Sequence, residues 1–170
     1  MENKAIYFVI AAFRSLDDLK KQMKVDLINN DQLKNIRFED NSSVFEAAIA
    51  NRNYEIADYL LEIDTPLNIL VHPELVNEFH IIAPTLWNTH AVSIANVLLD
   101  RGVALKQRDT KYGNTAMFSL ALDITRPRNR NDRTLAFLNR CMEKGEGLHE
   151  KNKRGLCATD ILLRAGIIKQ

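Results

Sequence analysis

One phrase recurs along the chain and limits what it can fold into. It is a short polar turn, an alanine-bearing helix, then a second helix ending in Leu-Leu. Residues 43–68, SVFEAAIANRNYEIADYLLEIDTPLN, carry it most clearly, and 81–106, IIAPTLWNTHAVSIANVLLDRGVALK, carry a weaker copy. The copies align through Ile56-Ala57-Asp58-Tyr59-Leu60-Leu61 and Ile94-Ala95-Asn96-Val97-Leu98-Leu99. A single helical pair cannot bury its own apolar face, so neighbours must stack on it. Stacks of this kind build binding surfaces more readily than reaction centres.

Five units fit one register, opening at Ile6, Ser43, Ile81, Thr115 and Cys157. The first holds IYFVIAAF and SLDDLKKQMK, with Asp17-Asp18 near the start of its second helix, where negative charge suits the helix dipole. A polar stretch, LINNDQLKNIRFEDNSS, connects it to the second unit. There Ser43 offers a cap, and Ile56, Ala57, Leu60 and Leu61 form one apolar face. The third unit follows HPELVNEF, read as a loop or short extra helix, and places Pro84 early in its first helix. Gly102 reads as a C-cap. The fourth has the clearest turn, Lys111-Tyr112-Gly113-Asn114-Thr115, then AMFSLALDI, the Arg-rich TRPRNRNDR and a helix ending at Gly145. The fifth repeats the turn as Lys153-Arg154-Gly155-Leu156-Cys157, closes at Gly166 and lacks a full second helix, as a terminal cap would. The expected core is Ala11, Ala48, Ile56, Leu60, Leu61, Val97, Leu98, Leu99, Leu120, Ala121, Phe137, Leu138 and Ile161.

Two cysteines, Cys141 and Cys157, are too few for a disulfide scaffold and suit a reducing cytoplasm. The run AIYFVIAAF (5–13) follows Lys4 like a signal-peptide core, but a charged helix comes next, so it reads as the first helix of the stack. No apolar run reaches the roughly 18–20 residues of a membrane span. The net charge of +1 hides an asymmetry. Residues 1–100 hold 8 Lys+Arg against 15 Asp+Glu, and residues 101–170 hold 15 against 7. Such polarity steers charged partners or favours weak head-to-tail association of an otherwise monomeric chain.

These residues resemble the ankyrin-repeat family. The family phrase is a glycine turn, Thr-Pro-Leu-His-x-Ala-Ala, Glu-Ile-Val-x-Leu-Leu-Leu, and Gly-Ala-Asp-x-Asn. Glu55-Ile56-Ala57 with Leu60-Leu61 and Asn68 resembles its second half; Leu98-Leu99-Asp100-Arg101-Gly102 resembles its helix end. Tyr112 to Met117 and Gly155 to Ile161 resemble the turn and helix start. No unit carries Thr-Pro-Leu-His intact. Glu46, Pro84, Phe118 and Asp160 stand for the histidine that buttresses the turns, and Asn41 and Phe79 stand for turn glycines. The resemblance implies an all-α, ankyrin-like solenoid of about five units in one domain over 1–170, with units near 1–38, 39–76, 77–110, 111–152 and 153–170.

No phosphate-binding glycine loop, His-Glu-x-x-His or Gly-x-Ser-x-Gly frame occurs. His72, His80, His90 and His149 are scattered, and Cys141, His149 and Cys157 fit no zinc spacing. No enzyme activity, metal or cofactor is expected. The resemblance implies a stand-alone adaptor or inhibitor that binds a protein through turn tips and inner helices. By register the tips are Glu39, Asp40, Asn77, Glu78, Lys111, Tyr112, Asn114, Lys153 and Arg154. The inner-helix positions are Asn51, Asn88, Thr89, Asp123 and Arg164. Arg126, Arg128 and Arg130 add forks able to pair with carboxylate or phosphate. A charge-complementary protein partner is the first expectation and nucleic acid on the basic half the alternative; no membrane partner is expected.

Overall fold

The chain is described by a computed structural model over residues 4–169. Ten short α-helices and one 3-10 turn account for its regular structure, and the described residues contribute only two isolated β-bridges, Arg37 with Ser43 and Arg108 with Thr115. The contacts divide after His72 into two compact units.

The first unit holds α1 (Lys4–Phe13), α2 (Leu16–Val25), α3 (Asn30–Lys34), α4 (Val44–Ala50) and α5 (Tyr54–Glu62). Here α1 packs on α2 and α4, α4 on α3 and α5, and α2 on α5. The second holds α6 (Glu78–Ile82), a 3-10 turn (Ala83–Thr85), α7 (Thr89–Asp100), α8 (Ala116–Ile124), α9 (Asp132–Lys144) and α10 (Ala158–Arg164). Here α8 packs on α6, α9 and α10, and α7 packs on α6 and α9. In both, first helices of successive pairs meet first helices, and second helices meet second.

Helices this short are marginal alone, so their ends need partners for the amides and carbonyls left over. Ser15, Asn29, Ser43, Asn77 and Asn131 cap α2, α3, α4, α6 and α9. Each accepts a first-turn amide and receives the third residue's side chain on its own N–H. Thr115 caps α8 through the Phe118 amide at 3.0 Å.

Five helices end in one pattern. The amide two residues past the C-cap reaches back to a carbonyl near the helix end while the residue between takes positive φ. The pairs are Ile28 to Met23, Asn53 to Ala48, Thr65 to Leu60, Val103 to Leu98 and Ile167 to Leu162. The left-handed residues are Leu27, Arg52, Asp64, Gly102 and Gly166. Only the last two are the glycines this conformation favours.

Three features depart from the sequence expectations. The stretch 27–43 is not a plain connector, because Asn29 and Gln32 cap one another and nucleate α3. The third unit opens at Glu78 behind Asn77, three residues before Ile81, and Pro84 sits in the 3-10 turn. Within the expected core, Val97 and Ile161 are half-buried; in α10 the fully buried residues are Ala158 and Leu162, the latter one position on from Ile161. The other expected core residues are buried, and Phe79 and Phe137 pack with ring centroids 6.3 Å apart.

Two substitutions test this account. A Cβ on Gly147, at φ +72, would lie 2.6 Å from the Leu105 carbonyl oxygen and 3.0 Å from Met117 Cβ. Gly147→Ala is expected to destabilise the fold by roughly 2–4 kcal/mol in chemical denaturation, from left-handed strain plus the clash. Leu27, 88% exposed at φ 55, loses little packing on replacement. Leu27→Gly is expected to stabilise by roughly 0.5–1 kcal/mol, the strain relieved less the extra chain entropy.

Candidate binding surface

The turns before the helices are built alike. Asn41, Gly113 and Gly155 take positive φ, and each stands two residues before a helix cap, Ser43, Thr115 or Cys157. The turns close through Phe38 N–H to Ser42, Asp109 N–H to Asn114 and Asn152 N–H to Leu156 carbonyls. A side chain fills each interior. Asp109, nearly buried, accepts the amides of Tyr112 (2.5 Å), Gly113 (3.2 Å) and Asn114 (3.0 Å). Asn152 Oδ1 accepts Arg154 and Leu156, and Asp40 Oδ1 accepts Ser42.

Successive turns are joined by backbone hydrogen bonds. In the first unit His72 N–H donates to the Asp40 carbonyl at 2.7 Å. In the second, Thr110 N–H donates to Glu74 (2.8 Å) and Lys153 N–H to Tyr112 (2.9 Å). Side chains reinforce the second unit's rungs. Arg108 donates to the Gly113 and Lys151 carbonyls, Lys153 to those of Thr110 and Lys111, and Asn152 Nδ2 to Asn114 Oδ1.

These contacts leave a basic tip around one aromatic ring. Tyr112 is 45% exposed, with Lys111 Nζ 5.3 Å and Arg154 Cζ 5.8 Å from its centroid. Lys111 is also paired with Glu74 at 3.1 Å, which raises its pKa. Lys153 and Arg154 are exposed and Asn114 is half-buried, so this part of the sequence-derived set does meet on one surface. Glu39 and Asp40 are exposed in the first unit.

Other members of that set are elsewhere. Asn77 and Glu78 are not tips: both are fully buried, Asn77 as the cap of α6 with its Nδ2 on the Ala104 carbonyl at 2.8 Å. The turn position before α6 is Leu75, at φ 54, whereas Phe79 is a buried core ring. Asp123, expected on an exposed helix face, is buried against Arg126 at 2.6 Å, and its burial raises the carboxyl pKa. Asn88 and Thr89 open the second helix of their pair rather than closing the first. Asn51 and Arg164 are exposed at helix ends, as expected. In the Arg-rich segment Asn129 is fully buried and ties to the Asp123 carbonyl at 2.7 Å. Arg130 donates to the Ala165 carbonyl at 3.1 Å, and the exposed Arg128 acts on Asp123 through its charge, opposing the burial that raises that carboxyl's pKa.

In α4 and α6 the residue three past the cap sits against the cap's own amide. In α6, at the corrected register, this is His80, not Pro84. Its Nδ1 lies 2.8 Å from Asn77 Oδ1, and its Nε2 lies 3.3 Å from the carbonyl of Asn114 in the following turn. Burial pushes its pKa below the ordinary 6.5, against the Asn114 carbonyl and Asp109. In α4 the position is Glu46, 1% exposed, whose Oε2 accepts the Ser43 amide at 2.7 Å while Oε1 has no hydrogen-bond partner. Burial raises its pKa above the ordinary 4.5, and the hydrogen bonds from Ser43 and the nearby Arg37 only partly oppose this.

A second surface escaped the sequence reading. In the first unit Lys4, Ala5, Phe8 and Val9 of α1 face Arg37, Phe38, Glu39 and Asp40 across an open groove. Phe8 and Phe38 meet edge to face at 5.2 Å. The signal was present in residues 5–13, which are apolar on every side of the helix. Among the described residues no group of His, Cys, Asp and Glu could hold a metal, and no helix is long and apolar enough to cross a membrane. Burial pushes the Cys141 thiol up to about 12, so it stays protonated.

No protein-family model matches the chain, and no curated protein matches it. Among solved structures, the chain is similar to a chain of the complex between the Bd0816 predatory endopeptidase of Bdellovibrio bacteriovorus and the immunity protein Bd3460. The TM-score is 0.62 at 23% identity, over 95% of this chain and 74% of that one. At that identity the likeness is one of fold.

Glu46 gives a pH test. Its folded pKa is raised, so the folded state binds the proton more tightly than the unfolded state, and the buried carboxylate destabilises the fold above that pKa. Glu46→Gln keeps an acceptor for Ser43 and removes the charge. It is expected to raise the denaturation midpoint at neutral pH, with the gain shrinking as pH falls towards 4.5. A gain independent of pH would contradict the assignment.

Proposed function

We propose that this chain is a degenerate ankyrin-type solenoid that binds a protein partner and carries no chemistry of its own, acting as an adaptor or inhibitor. The observation that carries the reading is the turn construction. Left-handed residue, helix cap and inter-turn amide bond recur together, and His80 stands at the position the family phrase gives to histidine, against the next turn. The packing of first helices on first and second on second supports a repeated unit. The similar complex joins an endopeptidase to an immunity protein, and this supports protein binding, with inhibition as one form of it.

The partner surface is the second unit's tip, made by Lys111, Tyr112, Asn114, Lys153 and Arg154; Glu39 and Asp40 form a separate acidic tip in the first unit. Its backbone is held before any partner arrives, so little ordering entropy is lost on docking. The exposed cations fit carboxylates on the partner. A single exposed tyrosine offers little for base stacking, and Glu74 stands among the cations where a nucleic-acid backbone would meet it.

Capture from source lysate tests this, using the intact chain and a Tyr112→Ala/Arg154→Glu variant, each with and without nuclease. One protein held by the intact chain regardless of nuclease, and lost or weakened about tenfold in the variant, is the expected result. Capture abolished by nuclease, with affinity falling steeply with salt, would replace the reading with nucleic-acid binding.

A further inference from the structure

Just past α2 stands a leucine where the backbone favours glycine. Leu27 takes φ 55, with the steric strain of the left-handed region, and at 88% exposure it recovers little by packing. Val25, the last residue of α2, is 75% exposed. These two are the most exposed large apolar side chains among the described residues. The fold gains nothing by holding Leu27 in this way. Backbone strain of that kind gathers at residues that act on something outside the fold.

Charge of one sign gathers at the same place. The acids of α2, Asp17 and Asp18, fall in its first turn, and Lys20, Lys21 and Lys24 follow towards the end that carries Val25 and Leu27. All three lysines are exposed, and among the described residues none is within ion-pair distance of a carboxylate. The neighbouring carboxylates are engaged inside the fold. Asp18 is held in the Ser15 cap, Asp26 accepts Tyr7 Oη at 2.8 Å and Gln22 Nε2 at 3.0 Å, and Asp31 pairs with Lys34 at 2.8 Å. Lys20 and Lys24 rim an open pocket floored by Met23, Ile28 and the Tyr59 ring, with Lys20 Nζ 5.2 Å from the ring centroid. Lys21 and Val25 line the other flank of α2. Residues 1–100 are acidic in sum, 8 Lys+Arg against 15 Asp+Glu, so composition hides this cluster.

The form of the patch indicates what it meets. Leu27 projects, so a protein partner needs a matching pocket with carboxylates fixed around it, and fixed acceptors suit the planar fork of arginine. The cations of α2 are all lysines, compact charges on flexible stems that follow mobile anions. A bilayer surface is fluid, admits a projecting aliphatic side chain and offers anionic groups on every side of it. We propose that the C-terminal end of α2 docks on an anionic phospholipid surface. Leu27 and Val25 enter the headgroup region, while Lys20, Lys21 and Lys24 pair with lipid phosphates and carboxylates around them. The contact is peripheral and reversible; no described helix is long and apolar enough to cross a membrane. It is independent of the Tyr112 tip.

Flotation of the intact chain with vesicles is the test, comparing phosphatidylcholine alone with equal parts phosphatidylcholine and phosphatidylserine. Circular dichroism confirms that each variant is folded. Binding is expected to the mixed vesicles only, and to fall as salt rises. Leu27→Gly relieves the backbone strain, so it is expected to stabilise the fold and yet weaken vesicle binding about tenfold. A purely structural role for Leu27 does not separate the two effects. Lys20→Ser combined with Lys24→Ser is expected to weaken binding about twentyfold, at roughly fivefold per lysine. No binding to the mixed vesicles at low salt overturns the proposal, as does binding unchanged in either variant. Inorganic phosphate that displaces the chain where chloride of equal ionic strength does not would make this a site for a free anion, and overturns it too. If vesicles fail to bind and a protein held by the intact chain is lost in Leu27→Gly, the end of α2 belongs to a protein partner instead.

Discussion

The unsatisfied backbone of short helices is the constraint from which this structure follows. The longest helix has 13 residues and the shortest five, so amides and carbonyls without an intrahelical partner are a large fraction of the backbone. They are answered locally, by Ser, Thr and Asn at the starts and by back-reaching amides at the ends. This fixes where each chain segment enters and leaves its helix. The turns are consequences: a left-handed residue two positions before the cap folds the approach back, and the tip then presents one amide and one carbonyl to its neighbour. Asp109 and Asn152 satisfy the interior amides, so the tip is rigid without a core beneath it.

Legibility in the sequence followed the chemistry of these ends. Thr115 behind Gly113, and Ser43 behind Asn41, are residue types that advertise a cap and a turn, and the helices they open were placed correctly. The third unit was misplaced because Leu75 holds the left-handed position, a role that a branched apolar residue does not announce. The shift carried His80 out of view and put Pro84 in its place. Leu27, Arg52 and Asp64 similarly end helices where a glycine was the readable sign. Helix α3 is too short and too polar for periodicity to reveal; only its reciprocal Asn29 and Gln32 caps mark it. The burial of Asn77, Glu78 and Asp123 depends on what packs over them, which no local pattern encodes.

The charge asymmetry also changes meaning once side chains are placed. Arg108 and Lys153 hold backbone carbonyls, Arg130 holds the Ala165 carbonyl, and Arg126 and Lys111 pair with Asp123 and Glu74. Much of the basic excess in the C-terminal part therefore serves the fold. Arg forks suit this use because their several N–H groups satisfy two carbonyls at once, as Arg108 does. What remains for a partner at this tip is the Tyr112 ring with the Arg154 guanidinium beside it. That arrangement selects by geometry, whereas a diffuse basic field selects only by charge.

Surfaces of two kinds follow. The tip around Tyr112 is polar and preorganised. The α1 face is apolar, and its rim shares Glu39 and Asp40 with the acidic tip of the first unit. A partner engaging Glu39 or Asp40 meets carboxylates that also line the groove beside α1, whereas a partner held by Tyr112 and Arg154 uses no residue of the α1 face.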